Sequence, residues 1–121
     1  MRIIYIEDDP ANRALVERVA RHTRDTLTTY VTADEALDRI QPGDADLILT
    51  DIRFGDGTNG LELAQVLRER GVDAPIVTIT AYDLEEYVRW AEYVGSREFL
   101  VKPVDVPTLL NLFDSFRPAD G

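Results

Sequence analysis

Five short runs of apolar and β-branched residues recur along this 121-residue chain, each followed by helical periodicity. That alternation constrains the fold more than any other feature. The runs are RIIYI (2–6), TLTTYVT (26–32), DLILTD (46–51), APIVTIT (74–80) and EFLVK (98–102). Most are too short for helices and too evenly apolar for a strand with one wet face, so they read as buried strands. Between them lie helix signals. Asp9 can cap a helix whose first position is Pro10, and Leu15, Val16 and Val19 follow at helical spacing. Thr32 with Glu35 predicts a capping box for a short helix carrying Ala36, Leu37 and Ile40, broken by PGD (42–44). Asn59 with Glu62 predicts a second box, with Leu63, Val66 and Leu67 facing the core until Gly71. Residues 83–94 and 105–116 supply the last two helices. Strands and helices alternating through short connections make an α/β fold with a parallel sheet covered on both faces. In such folds, ligands sit outside the carboxyl ends of the strands.

Those ends carry chemistry. The first strand delivers Glu7 and Asp8, the third Asp51, the fourth Thr80 and the fifth Lys102. Each has a bland explanation alone: a solvated cap, a turn former before the glycine-rich RFGDGTNG (53–60), a strand threonine, a surface lysine. Together they are harder to dismiss. Three carboxylates at one rim repel one another by about 4 kcal/mol per close pair at an effective dielectric of ~20. One lysine cannot neutralise three. A hard divalent cation can, and an all-oxygen donor set suits Mg²⁺ with retained waters and a phosphate. A carboxylate flanked by a cation, a lysine and a hydroxyl is equipped to attack phosphorus and hold an acyl phosphate.

Composition narrows the classes. The length fits one domain, and 23 acidic against 13 basic residues leave a formal charge of −10, which argues against direct nucleic-acid binding. There is no cysteine, hence no disulfide and no thiolate metal site. No apolar run is long enough to span a bilayer, and MRIIYIEDDP lacks the anatomy of a signal peptide, so a cytoplasmic protein is expected.

YIEDDPANR, LILTDIR, VTITAY and EFLVKP stand in this order and at these separations, and with them the chain resembles the response-regulator receiver domain of two-component signalling. The resemblance spans about residues 2–116 and is chemotaxis-receiver-like. It implies a flavodoxin-like fold: five parallel strands in the order 2-1-3-4-5, flanked by five helices. Residues 1–116 would be the receiver domain and 117–121 a short flexible tail. It further implies that Asp51 is the phosphoacceptor and Asp8 a direct Mg²⁺ ligand, with Glu7 acting through water and the Arg53 backbone carbonyl completing the protein ligands. Mn²⁺ could substitute for Mg²⁺. Thr80 and Lys102 would contact the phosphoryl oxygens, Thr80 and Phe99 would form the switch pair, and Pro103 would follow a cis peptide bond. By the same resemblance, Arg53 and Tyr82 would occupy positions that in this family tune phosphoryl lifetime. The loop after Asp51 departs from the family pattern: it lacks the usual proline and is one residue longer.

The implied function is a phosphorylation-dependent switch. It would take its phosphoryl group from a histidine kinase or histidine phosphotransfer protein and assist its own phosphorylation and dephosphorylation, without a conventional turnover substrate. Helix 83–94 (DLEEYVRWAEYV) is apolar around more than one face. With strand 98–102 and helix 105–116 it is the expected surface for a downstream protein or a homodimer. His22 reads as a solvated residue at the end of the first helix. Three alternatives remain. A haloacid-dehalogenase-like phosphatase would need a second aspartate where Arg53 stands, and a flavodoxin would need a phosphate cradle where the acidic turn stands. A phosphorylation-independent pseudo-receiver acting as a protein-binding module is the main competitor. The chain could be a single-domain regulator or part of a larger protein.

Overall fold

The computed structural model describes residues 1–52, 54, 57–80 and 96–118, with Thr80 and residues 96–99 described through their backbone. In chain order the elements are β1 (Arg2–Ile6), α1 (Pro10–Thr23), β2 (Thr26–Tyr30), α2 (Ala33–Arg39), β3 (Leu47–Asp51), α3 (Gly60–Glu69), β4 (Ile76–Thr80), β5 (Ser96–Val101) and α4 (Val106–Phe116). All pairings are parallel, in the order β2-β1-β3-β4-β5. Four helices lie among the described residues. The expected helix 83–94 falls outside them.

The period of two along each strand builds two cores. Ile3, Tyr5, Leu47, Leu49, Val77 and Ile79 face α1 and α4, against Val16, Val19, Leu109, Leu112 and Phe113. Ile4, Ile6, Ile48 and Ile76 face α2 and α3, against Ala33, Ala36, Leu61, Ala64 and Leu67. Burial on both faces explains why these strands read as unbroken apolar runs.

Local hydrogen bonding sets the boundaries. The Thr32 hydroxyl accepts from the Glu35 amide at 3.1 Å, so Thr32 caps α2 and β2 stops at Tyr30 rather than at 32. The Asn59 side chain accepts instead from the Leu61 amide at 2.7 Å. Its shorter reach closes the turn one residue earlier than a capping box does. Asp9 and Asp105 cap α1 and α4 by accepting from the amides of Ala11 and Thr108. The end of α1 has no sequence signal for what occurs there: Arg24 takes the left-handed conformation (φ 62°) usually left to glycine. Arg117, just past the end of α4, forks onto Asp25 at 2.7 and 3.0 Å.

Candidate functional site

Because the strands are parallel, their carboxyl ends open onto one edge, and β1 and β3 are direct neighbours there. Ile6 lies opposite Thr50, which brings Glu7 beside Asp51. Ligand oxygens of Glu7, Asp8 and Asp51 lie within 4.8 Å of one another. Glu7 is 1% exposed and Asp51 7%, so neither carboxylate is left to bulk water. Lys102 arrives from the end of β5. Its ammonium donates to Asp51 Oδ2 at 2.8 Å and to Glu7 Oε1 at 3.0 Å. The Lys102–Pro103 peptide bond is cis.

The electrostatics follow from this packing. Burial pushes the Glu7 carboxyl above its ordinary range; hydrogen bonds from Asn12 and Lys102 oppose the shift, and the neighbouring charge of Asp51 adds to it. Burial would lower the Lys102 ammonium, but its hydrogen bonds to Asp51 and Glu7 outweigh that and hold it above the usual lysine value. One ammonium thus faces three clustered carboxylates, and Glu7 Oε2 is buried with no hydrogen-bond partner among the described residues. An orphaned buried carboxylate oxygen is costly unless something positive meets it. The donor set fits a hard divalent cation bound through oxygens.

Two further contacts and one glycine shape the site without a signal that sequence reasoning used. Asn12 donates to Glu7 Oε1 at 3.0 Å, and Arg13 donates to the Glu7 carbonyl at 2.8 Å. Gly60, the first residue of α3, passes so close to β3 that a Cβ there would sit 1.7 Å from the Asp51 carbonyl oxygen. An isolated glycine at a helix start, straight after a loop from a strand, was the available clue. Arg53 and Tyr82 lie outside the described residues, as do the side chains of Thr80 and Phe99.

A five-stranded parallel sheet in this order, with an acidic cluster and a lysine at its carboxyl edge, defines a doubly wound α/β fold of the flavodoxin-like kind. The chain matches the response regulator receiver domain family over residues 3–114, and it belongs to that family. It is 34% identical over 112 residues to the response regulator protein PilR of Pseudomonas aeruginosa, covering 92% of this chain and 25% of PilR. It thus spans about a quarter of that relative. An uncharacterized 14.6 kDa protein of Leptolyngbya boryana is 30% identical, over 96% of this chain and 89% of its own. Among solved structures, a CheY-like receiver domain protein of Methanospirillum hungatei superimposes with a TM-score of 0.87 at 24% identity, covering 94% of this chain and 90% of its own.

Proposed function

We propose that the chain is a phosphorylation-dependent signalling switch in which Asp51 accepts a phosphoryl group from a phosphohistidine of a kinase or phosphotransfer protein. An Asp51 carboxylate oxygen forms the new bond to phosphorus as the N–P bond of the imidazole breaks, and the departing imidazole takes up a proton from solvent. The observation that carries this reading is the pairing of Lys102 with both Asp51 and Glu7 beside an orphaned Glu7 oxygen. Asp8, Asp51 and Glu7 would hold Mg²⁺ or Mn²⁺, which when bound supplies the positive charge that phosphoryl oxygens require. Lys102 orients the acceptor oxygen before transfer and afterwards faces the phosphoryl dianion, whose formation adds only about one negative charge because the charge of the Asp51 carboxylate is consumed in the new bond. Thr80 and Phe99 would relay the phosphorylation state to a partner-binding face comprising residues 83–94, β5 and α4. No conventional turnover substrate is involved. We place the protein in the cytoplasm; no described helix is long and apolar enough to cross a membrane.

Intact-mass spectrometry after incubation with acetyl phosphate tests the reading. A gain of one phosphoryl group is expected with Mg²⁺, lost with EDTA and lost in Asp51→Asn. A gain that survives Asp51→Asn overturns the assignment of the acceptor. No gain from either acetyl phosphate or phosphorylated kinases would overturn the switch in favour of a pseudo-receiver binding module.

A further inference from the structure

Glu7 is gripped from two sides by the first turn of α1. Arg13 donates to its backbone carbonyl at 2.8 Å, and the Asn12 carboxamide donates to its Oε1 at 3.0 Å. The same Asn12 nitrogen donates to Asp9 Oδ2 at 3.0 Å, while Asp9 Oδ1 accepts from the Ala11 amide and caps the helix. Asn12 therefore ties the Glu7 carboxylate to the N-terminus of α1. That helix is itself seated on the sheet by Val16, Val19 and Ala20. A carboxylate turns readily about its last bond, so an acidic cluster alone does not settle which oxygen serves a cation. Here Oε1 is taken by two donors, Asn12 and Lys102, and Oε2 is buried with no hydrogen-bond partner among the described residues.

We propose that Asn12 is a positioning residue of the cation site: by holding Glu7 Oε1 against the α1 cap, it leaves Oε2 as the oxygen presented to a divalent cation or its water. The inference rests on the switch reading above and adds a division of labour to it. Lys102 is shared between Glu7 and Asp51, so a phosphoryl group on Asp51 draws it away from Glu7. Asn12 has no such second duty toward Asp51. It keeps Glu7 in register in both states, and its loss weakens cation binding most when Lys102 is engaged elsewhere.

The test is a Mg²⁺ titration by calorimetry and a Mn²⁺ titration by electron paramagnetic resonance. Both use the unphosphorylated chain, with thermal melts on the same samples. The variants are Asn12→Leu, Asn12→Gln, which keeps the donor, and Asp8→Ala. Asn12→Leu is expected to lose about tenfold in affinity for both ions, the low end of the 10–100-fold typical of groups that orient metal ligands. Asn12→Gln should recover most of that loss. Repetition with beryllofluoride added as the phosphoryl mimic should widen the gap between wild type and Asn12→Leu. If the wild type binds through Asp8 and Asn12→Leu matches its affinity, the inference fails while the switch reading stands. A lower melting temperature with unchanged affinity overturns the inference equally, because Asn12 is then only structural. If wild type and Asp8→Ala bind alike, the cation site itself is wrong.

Discussion

At the scale of single residues, the site depends on contacts too close to tolerate an added carbon. Gly60 is the sharpest case. A Cβ there would lie 1.7 Å from the Asp51 carbonyl oxygen and 2.8 Å from its carbonyl carbon, so strand or helix must move. Gly60→Ala is expected to cost about 1–3 kcal/mol as an overpacking change and, on the proposed switch reading, to slow phosphoryl gain because Asp51 shifts with its backbone. Gly57→Ala is the contrast. Among the described residues, no atom outside its chain neighbours lies within 4 Å of a Cβ at Gly57, but its φ of 88° is left-handed. That substitution should cost about 1–2 kcal/mol from backbone strain alone, with the rate largely kept. Urea melts and intact-mass time courses on the two variants would separate the effects. Equal slowing in both would mean that the close approach of α3 to Asp51 is not what positions the acceptor.

At the scale of elements, helix ends decide boundaries, and one end is held against its own preference. The amide of Arg24 bonds back to the carbonyls of Ala20 and Arg21, and the Asp25 amide also reaches Ala20. These bonds close α1 only if Arg24 adopts the left-handed region, where a side chain is penalised. Arg24→Gly removes the penalty and should stabilise the chain by about 0.5–1 kcal/mol. The urea midpoint should rise with an unchanged slope; a lower midpoint would show that the Arg24 side chain contributes more than its backbone strain costs. A similar competition accounts for the end of β2. Thr32 has the β-branching of a strand residue and the hydroxyl of a cap, and the capping bond to the Glu35 amide takes it out of the strand.

At the scale of the whole molecule, two clusters join segments far apart in sequence. One is the site, where Lys102 is 95 residues from Glu7 and 51 from Asp51. The other ties both ends of the chain to the end of α1. The Asp25 side chain is 1% exposed and accepts from Arg117, the Met1 ammonium and the Thr23 hydroxyl. Burial alone would raise the Asp25 carboxyl, but Arg117, the ammonium and Thr23 override it and hold it well below the usual carboxylate range. A carboxyl depressed in the folded state adds stability that is fully present above its unfolded value of about 4 and is lost as pH falls toward the folded one. Asp25→Asn should therefore cost about 1.5–3 kcal/mol at pH 7, with the difference from wild type shrinking as pH is lowered below about 4. Urea melts across that range check it, and a difference that holds constant or grows on acidification would refute the assignment. What the chain's residues determined by themselves were the approximate strand segments, the capping residues Asp9, Thr32 and Asn59, and the edge on which Glu7, Asp8, Asp51 and Lys102 gather. Periodicity and capping act within about four residues, and a parallel sheet carries all its carboxyl ends to one side. The tertiary structure alone decided which oxygen each donor takes. Lys102 sharing Glu7 with Asn12, Gly60 pressed on Asp51, and Arg117 folded onto Asp25 depend on distances between segments and on side-chain torsions. Those are settled only when the two cores pack, and no local pattern encodes them.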